Sequence, residues 1–372
     1  MITERYQRHS LIDWFSQEEV RSSKFAIVGC GAVGNEVAKN LALLGVGHID
    51  LFDFDTIEIH NLTRSVLFRE NDVGKNKAEV AAERVKELDP NVHVRSYFGD
   101  FWDQLSLTQA KSYDCIICCV DNFEARIKLN QLCLITKTNL INTGIDSKLS
   151  QIEVFPFQSG SHVACYECNL PFSAYERMQQ RYSCGWLKKI SYIEKKIPTT
   201  IITSSLTGAL AASHALNLIR DQSMNDAKRI LIDSFTGRST VSTIEQGCSC
   251  PGCSSLGDLV SVVTAKASIE SNLQLACFDY DDHFTSSEPI LVSIRCIECH
   301  PGLDDCKVIF ENASDFDSTI AICNECGKET VEVSIRDSFS FSELADKYTG
   351  FDLPCKFVRY DADNRTTIIE ME

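Results

Sequence analysis

Residues Gly29-Cys30-Gly31-Ala32-Val33-Gly34 stand between an apolar run, Lys24 to Val28, and a helix-like stretch, Asn35 to Leu44. Glycines at this spacing let the backbone approach phosphate oxygens, and the N-terminus of the following helix offers unpaired N–H groups to an anion. Asp53 ends the next apolar run, where ribose hydroxyls would need an acceptor. Alone, the motif suits dinucleotide and mononucleotide enzymes alike, nicotinamide-dependent oxidoreductases included. The residues after it separate the two: Asp55, Asn61, Arg64, Lys75 and Lys77, then Asp121-Asn122 and Arg126. Hydride transfer needs no cluster of cations beside the phosphates. Attack of a carboxylate on an α-phosphate brings two anions together, and Arg64 and Lys77 would supply the neutralising charge. Asp121 ends the run Tyr113 to Val120, a place suited to a Mg²⁺ ligand.

The cysteines form a second set. Cys165-Tyr-Glu-Cys168 and Cys250-Pro-Gly-Cys253 can each offer two thiolates, and together make a closed tetrahedral zinc site, with Cys248 as a substitute ligand. Cys296-Ile-Glu-Cys299 and Cys323-Asn-Glu-Cys326 lie closer together, at the spacing of a zinc ribbon. Four thiolates leave no open coordination position, so neither site is expected to be catalytic. Cys184 has no C-x-x-C partner, and Arg181, Lys188 and Lys189 near it would favour the thiolate of a nucleophile.

Positioning these groups requires a particular framework. Strand, glycine turn, helix and strand over Lys24 to Phe54 make a βαβ unit. Lys75 to Leu88 predicts a helix, Tyr113 to Val120 a buried strand, Ala125 to Ile135 a helix and Thr138 to Thr143 a strand. The expected fold is α/β, a Rossmann-like, mainly parallel sheet with helices on both faces. Phe157 to Pro198 breaks the periodicity and is too long for an ordinary loop, so residues 157–198 read as an inserted segment, functional or mobile, that carries Cys184. Thr199 to Arg220 predicts a helix, and Arg229 to Glu245 a strand pair. Beyond Ser255 short β-like runs surround the last cysteine pairs. The division is therefore 1–255 for the nucleotide-binding domain and 256–372 for a small β-rich, zinc-ribbon-containing domain.

Composition narrows the surroundings. The net charge of −16 over 372 residues offers no basic face for nucleic acid or an anionic membrane, and points toward a basic protein partner. No apolar run is long enough to span a bilayer, and the first ten residues are too polar for a secretory signal, so a cytoplasmic location is expected. In that setting C-x-x-C pairs read as metal ligands rather than disulfides.

Over residues 5 to 250 this constellation resembles the E1-like adenylating superfamily, which includes the sulfur-carrier activators of molybdopterin and thiamine synthesis and the ubiquitin-activating enzymes. Arg5-Tyr-Gln-Arg8-His resembles that family's N-terminal motif, in which an arginine reaches across a homodimer to the partner's triphosphate. The resemblance implies a dimer that uses ATP, Mg²⁺ and Zn²⁺. It implies that Gly29, Gly31 and Gly34 cradle phosphate, Asp53 holds the ribose, and Asn61, Arg64 and Lys77 hold the phosphates. Asp121 would bind magnesium, Arg8 would act in trans, and Arg126 would be either a helix anchor or a ligand. It also implies that Cys184 stands where ubiquitin-type E1 enzymes form a thioester, although Gly185 replaces their usual threonine. Phe339 to Glu372 resembles the C-terminal ends of bacterial E1-like proteins. The expected activity is adenylation of the C-terminal carboxylate of a ubiquitin-like protein, thioester formation on Cys184 and transfer to an E2-like partner. The alternatives are a sulfur-carrier or peptide-modifying adenylyltransferase without the thioester, and a non-catalytic scaffold.

Overall fold

The computed structural model describes residues 4–159, 163–171, 173, 199–221, 223–256, 259–265, 283–302, 306–316, 318–348, 350–362 and 365–371. They divide into two compact units. One is built from the described residues within 1–170 and 195–255, the other from those within 171–194 and 256–372.

The first unit is organised by an eight-stranded sheet in the order β3-β2-β1-β4-β5-β6-β7-β8. Its strands are β1 Lys24–Val28, β2 His48–Asp53, β3 His93–Phe98, β4 Cys115–Cys118, β5 Asn139–Ile145, β6 Leu149–Phe155, β7 Lys228–Asp233 and β8 Ser239–Thr243. From β3 to β5 every pairing is parallel, while β6, β7 and β8 extend the sheet antiparallel. The parallel body matches the expected fold class. Its central strands β1 and β4 are almost wholly apolar because both faces are covered, while β2 buries one carboxylate, Asp50, among its apolar residues.

The helices of this unit are α1 Gln17–Ser22, α2 Ala32–Leu44, α3 Lys77–Leu88, α4 Phe101–Gln104, α5 Leu107–Lys111, α6 Phe123–Thr136 and α7 Ile201–Arg220. On one face, α2 packs between α3 and α7 over the core of Phe25, Ile27, Leu51, Ile117, Ile141 and Val154. On the other, α6 lies against β4 and β5, with α5 packed beside it. Helix α3 starts at Lys77, two residues later than the pattern suggests, because Asn76 caps it by accepting from the N–H of Ala78 at 2.9 Å. The run Tyr113 to Val120 is a strand only over β4, and the N–H of Cys119 makes the last bond to β1, donating to the Val28 carbonyl at 2.7 Å.

Buried carboxylates tie distant segments together. Asp50 on β2 accepts two bonds from Arg95 on β3, at 3.0 and 2.8 Å, and one from Tyr113. Asp89, after α3, accepts from the hydroxyl of Tyr6, while Arg5 donates to the Leu88 carbonyl at 2.8 Å. The N-terminal segment is thereby fixed to the far end of α3. Burial and the Asp89 contact push the Tyr6 hydroxyl up to about 12.

The second unit holds a six-stranded sheet: β9 Leu259–Ala265, β10 His283–Cys296, β11 Lys307–Asn312, β12 Val331–Ser340, β13 Phe357–Ala362 and β14 Arg365–Met371. Five strands follow the order β11-β10-β13-β14-β9, and β12 pairs with β10. One helix, α8 Phe341–Lys347, joins the core of Phe284, Ile290, Phe310, Phe339 and Tyr348. Residues 256–372 contain 23 acidic against 9 basic side chains, a net of −14, which leaves −2 for the first 255. Among the described residues no helix is long and apolar enough to cross a membrane.

Burial alone would raise the carboxyls of Asp50, Asp72 and Asp89, but their hydrogen-bond and cationic partners hold all three below the usual range. Such groups stabilise the fold above the unfolded-chain value of about 3.9, and that stability is lost as pH falls through the lower folded values. Urea unfolding is therefore expected to show a steep loss of stability below about pH 4. Asp50→Asn should cost about 1.5–3 kcal/mol at neutral pH and make the acid loss shallower; equal slopes in the two proteins would contradict this.

Candidate functional site

The glycine turn joins the end of β1 to α2 in very little space. Gly29 has φ +94°, and a side chain there would meet the Cys119 carbonyl at 2.7 Å. A Cβ on Gly34 would sit 1.9 Å from the Gly29 carbonyl oxygen. Gly31 differs. It is the N-cap of α2, it offers no side chain to cap the first N–H groups, and a Cβ there would meet nothing within 4 Å. The space before these donors is open, as an anion would require. Asn35, fully buried, holds the turn: its Nδ2 donates to the carbonyls of Cys30 at 2.7 Å and Gly31 at 3.0 Å. Its Oδ1 accepts from the N–H of Leu67 at 2.9 Å, which ties in the segment carrying Arg64.

Asp53 stands beside this turn at the end of β2. One carboxylate oxygen accepts from the N–H of Cys30 at 2.6 Å, the other from that of Asp55 at 2.8 Å. Burial pushes its carboxyl up, opposed by those N–H groups and by Lys77. Lys77 is the first residue of α3, its side chain is 11% exposed, and its Nζ lies 2.6 Å from Asp55. A cation at a helix N-terminus opposes the helix dipole, so the stability of α3 does not explain it. Lys75 instead pairs with Asp72 at 3.1 Å.

Gly29, Gly31, Gly34, Asp53 and Lys77 thus come together at the carboxyl ends of β1 and β2. Asp121 follows Cys119, whose carbonyl abuts Gly29, and its side chain is exposed. Asn61 lies inside the short 3-10 turn Ile59–Thr63 and accepts from the N–H of its N-cap, Glu58, at 2.8 Å, and Arg64 ends the turn with one guanidinium N–H on the His60 carbonyl at 2.9 Å. Arg126 is an anchor: it donates to the carbonyls of Val120 and Thr143 and to Asn142. Arg8 is not brought to this cluster. It is exposed on the segment held at Leu88 and Asp89, about 17 Å along α3 from Lys77. Cys184, with Arg181, Lys188 and Lys189, lies outside the described residues.

The cysteine pairs close into two clusters, Cys165, Cys168, Cys250 and Cys253, and Cys296, Cys299, Cys323 and Cys326, each with its sulfurs within 4.8 Å of one another. In the first, the Sγ separations include 3.5 Å for Cys165 and Cys250 and 3.4 Å for Cys168 and Cys253. In the second, Cys296 to Cys326 and Cys299 to Cys323 are both 3.8 Å. Tetrahedral thiolates about 2.3 Å from zinc would be about 3.8 Å apart, so both sets fit the ion. Backbone N–H groups of Cys165 and Cys299 point at sulfurs, as thiolates require. Thr330, and then the Cys299 N–H, pull the Cys296 thiol down to about 6. Cys248 is exposed and outside the first cluster. That cluster also braces α6, since Asn130 accepts from the N–H of Tyr166 at 3.1 Å and donates to Glu167.

Residues 5–253 match the ThiF family. The chain belongs to that family. Over 213 residues it is 30% identical to ubiquitin-like modifier-activating enzyme 5 of Drosophila virilis, covering 54% of this chain and 52% of that protein. It is 34% identical over 152 residues to SUMO-activating enzyme subunit 2 of Dictyostelium discoideum, covering 41% and 22%. With the molybdopterin-synthase adenylyltransferase of Escherichia coli it shares 31% over 167 residues, covering 44% and 66%. The chain thus spans between about a fifth and two thirds of these relatives. Among solved structures, E. coli MccB with ATP superposes with a TM-score of 0.53 at 25% identity, covering 68% of this chain and 74% of that one.

Two residues of this ThiF-family site had no role readable from the sequence. Asn35 lies where any helix former would serve, and only its bonds to both sides of the turn reveal its use. Asp55 is one of several acids after β2, and its pairing with Lys77 depends on the turn that brings α3 back. The glycines offer a direct test. Gly31→Ala should fold with wild-type stability yet lose Mg-ATP binding by calorimetry. Gly34→Ala should fall by several degrees in melting temperature, because its Cβ has no room. Elemental analysis should find two zinc ions per wild-type chain and one in Cys165→Ser or Cys323→Ser; unchanged content in either would exclude its cluster.

Proposed function

We propose that this chain adenylates the C-terminal carboxylate of a ubiquitin-like protein and then takes the acyl group on Cys184, before transfer to an E2-like partner. The observation that carries the adenylation step is Lys77: a largely buried cation placed against its own helix dipole, beside a glycine turn whose first helical N–H groups face open space. The N–H groups of α2 and Lys77 would hold the phosphates, with Arg64 and Asn61 beside them and Asp53 toward the ribose. The carboxylate oxygen attacks the α-phosphorus, the bond to the bridging oxygen breaks, and pyrophosphate leaves. Asp121 is the residue we assign to magnesium, which when bound neutralises phosphate charge. The Cys184 thiolate then attacks the acyl carbon, a C–S bond forms, and AMP departs with the electron pair of the broken C–O bond.

The partners follow from charge and position. Arg8, exposed and remote from Lys77 in its own chain, suits a role across a homodimer. The acidic excess of residues 256–372 suits recruitment of a basic protein surface. The zinc sites are closed and structural. Every described cysteine is free of a disulfide, in keeping with a cytoplasmic setting. A non-catalytic scaffold would have no use for Arg64, Lys77 and Asp121 together.

A second reading stops at the adenylate. It is favoured by the likeness to MccB, solved with MccA as well as with ATP, and to the molybdopterin-synthase adenylyltransferase. A nonreducing gel of the protein with Mg-ATP and a ubiquitin-like protein ending in a free carboxylate separates the two. A dithiothreitol-sensitive adduct, absent in Cys184→Ala, is the expected result. Pyrophosphate exchange should survive in Cys184→Ala and fall about 10²–10³-fold in Lys77→Ala. Exchange without an adduct would establish the second reading, and no exchange at all would defeat both.

A further inference from the structure

Asn142 on β5, Glu153 on β6 and Arg229 on β7 are direct cross-strand neighbours, so their side chains form a row on one face of the sheet. Helix α6 lies over β4 and β5, and Arg126 reaches from its first turn into that row. The polarity runs one way. Arg126 donates to the Asn142 Oδ1, the Asn142 Nδ2 donates to Glu153 at 2.6 Å, and Arg229 donates to Glu153 at 2.7 Å. Asn142 and Glu153 are almost fully buried, at 2% and 1% exposure. Arg126 can only donate and ionised Glu153 can only accept, so between them the amide of Asn142 has a single satisfied orientation. The other bonds of Arg126 end on the carbonyls of Thr143 and Val120, and Val120 is the residue before Asp121.

We propose that Arg126, Asn142, Glu153 and Arg229 form a positioning relay that holds the Val120-Asp121 turn for adenylation, a role resting on the function proposed above. None of the four touches the reacting atoms; they act through Asp121. The antiparallel extension of the sheet therefore contributes to the nucleotide end through Glu153, whose partner Arg229 is 76 residues away. Glu153→Gln is nearly isosteric but brings a second donor into a row already supplied with donors at both ends, so one pair must face N–H to N–H. Adding Arg229→Met removes the competing donor and should restore the order.

The test uses the full chain and its Arg126→Lys, Glu153→Gln and Glu153→Gln/Arg229→Met variants, each shown to be folded by its melting curve. Hydrogen exchange of amides 119–123 should quicken about tenfold in the two single variants and return toward wild type in the double variant. Pyrophosphate exchange should lose kcat about tenfold with little change in the KM for ATP, and should need more magnesium for half-maximal rate. Unchanged amide exchange at 119–123 in both folded single variants would overturn the relay. So would a double variant no better than Glu153→Gln. If the wild type exchanges no pyrophosphate, the adenylation reading fails, while the amide measurements still decide whether the relay holds the turn.

Discussion

Everything at the nucleotide end depends on how closely the chain leaving β1 passes the chain leaving β4. Two backbones meet there with no Cβ between them, because Gly29 faces the Cys119 carbonyl and Gly34 faces Gly29. That contact sets where α2 begins and therefore where its unpaired N–H groups point. It also fixes where Asp121 emerges, two residues beyond Cys119. In open α/β sheets, ligands gather where successive crossovers depart to opposite faces, and here α2 and α6 do so from β1 and β4. The site is thus a product of chain geometry before any side chain contributes.

The side chains added to that frame work against local stability. Lys77 opposes the dipole of α3, and Asp53 is buried deeply enough for its carboxyl to be raised. Local rules tend to be broken at functional sites, with compensation elsewhere. Compensation is visible in the same unit, in the partnered Asp50 and Asp89 and in the packed face between α2 and α7.

Much of this was readable in order along the chain. The apolar runs of β1, β2, β4 and β5, the glycine turn and α2 give signals confined to a few neighbouring residues, and the C-x-x-C spacing announces its own use. The features that escaped have their causes elsewhere. β3 is half exposed and carries His93 and Arg95, with Arg95 serving a carboxylate 45 residues back. β6 buries Ser150 and Glu153, which makes no apolar pattern, and Glu153 is satisfied only by β5 and β7. The role of Arg126 was open between ligand and anchor until the carbonyls it reaches were known.

The first cysteine cluster joins residues 85 positions apart in the chain. During synthesis its second pair follows the first by 85 residues, about 4–17 s at ordinary elongation rates. Through that interval Cys165 and Cys168 wait as an incomplete chelate, and the bracing of α6 through Asn130 waits with them. Closure of the four-cysteine cluster is thus a late event in synthesis. A zinc ion held by all four thiolates could therefore join only after β8, the last strand of the sheet, has been made.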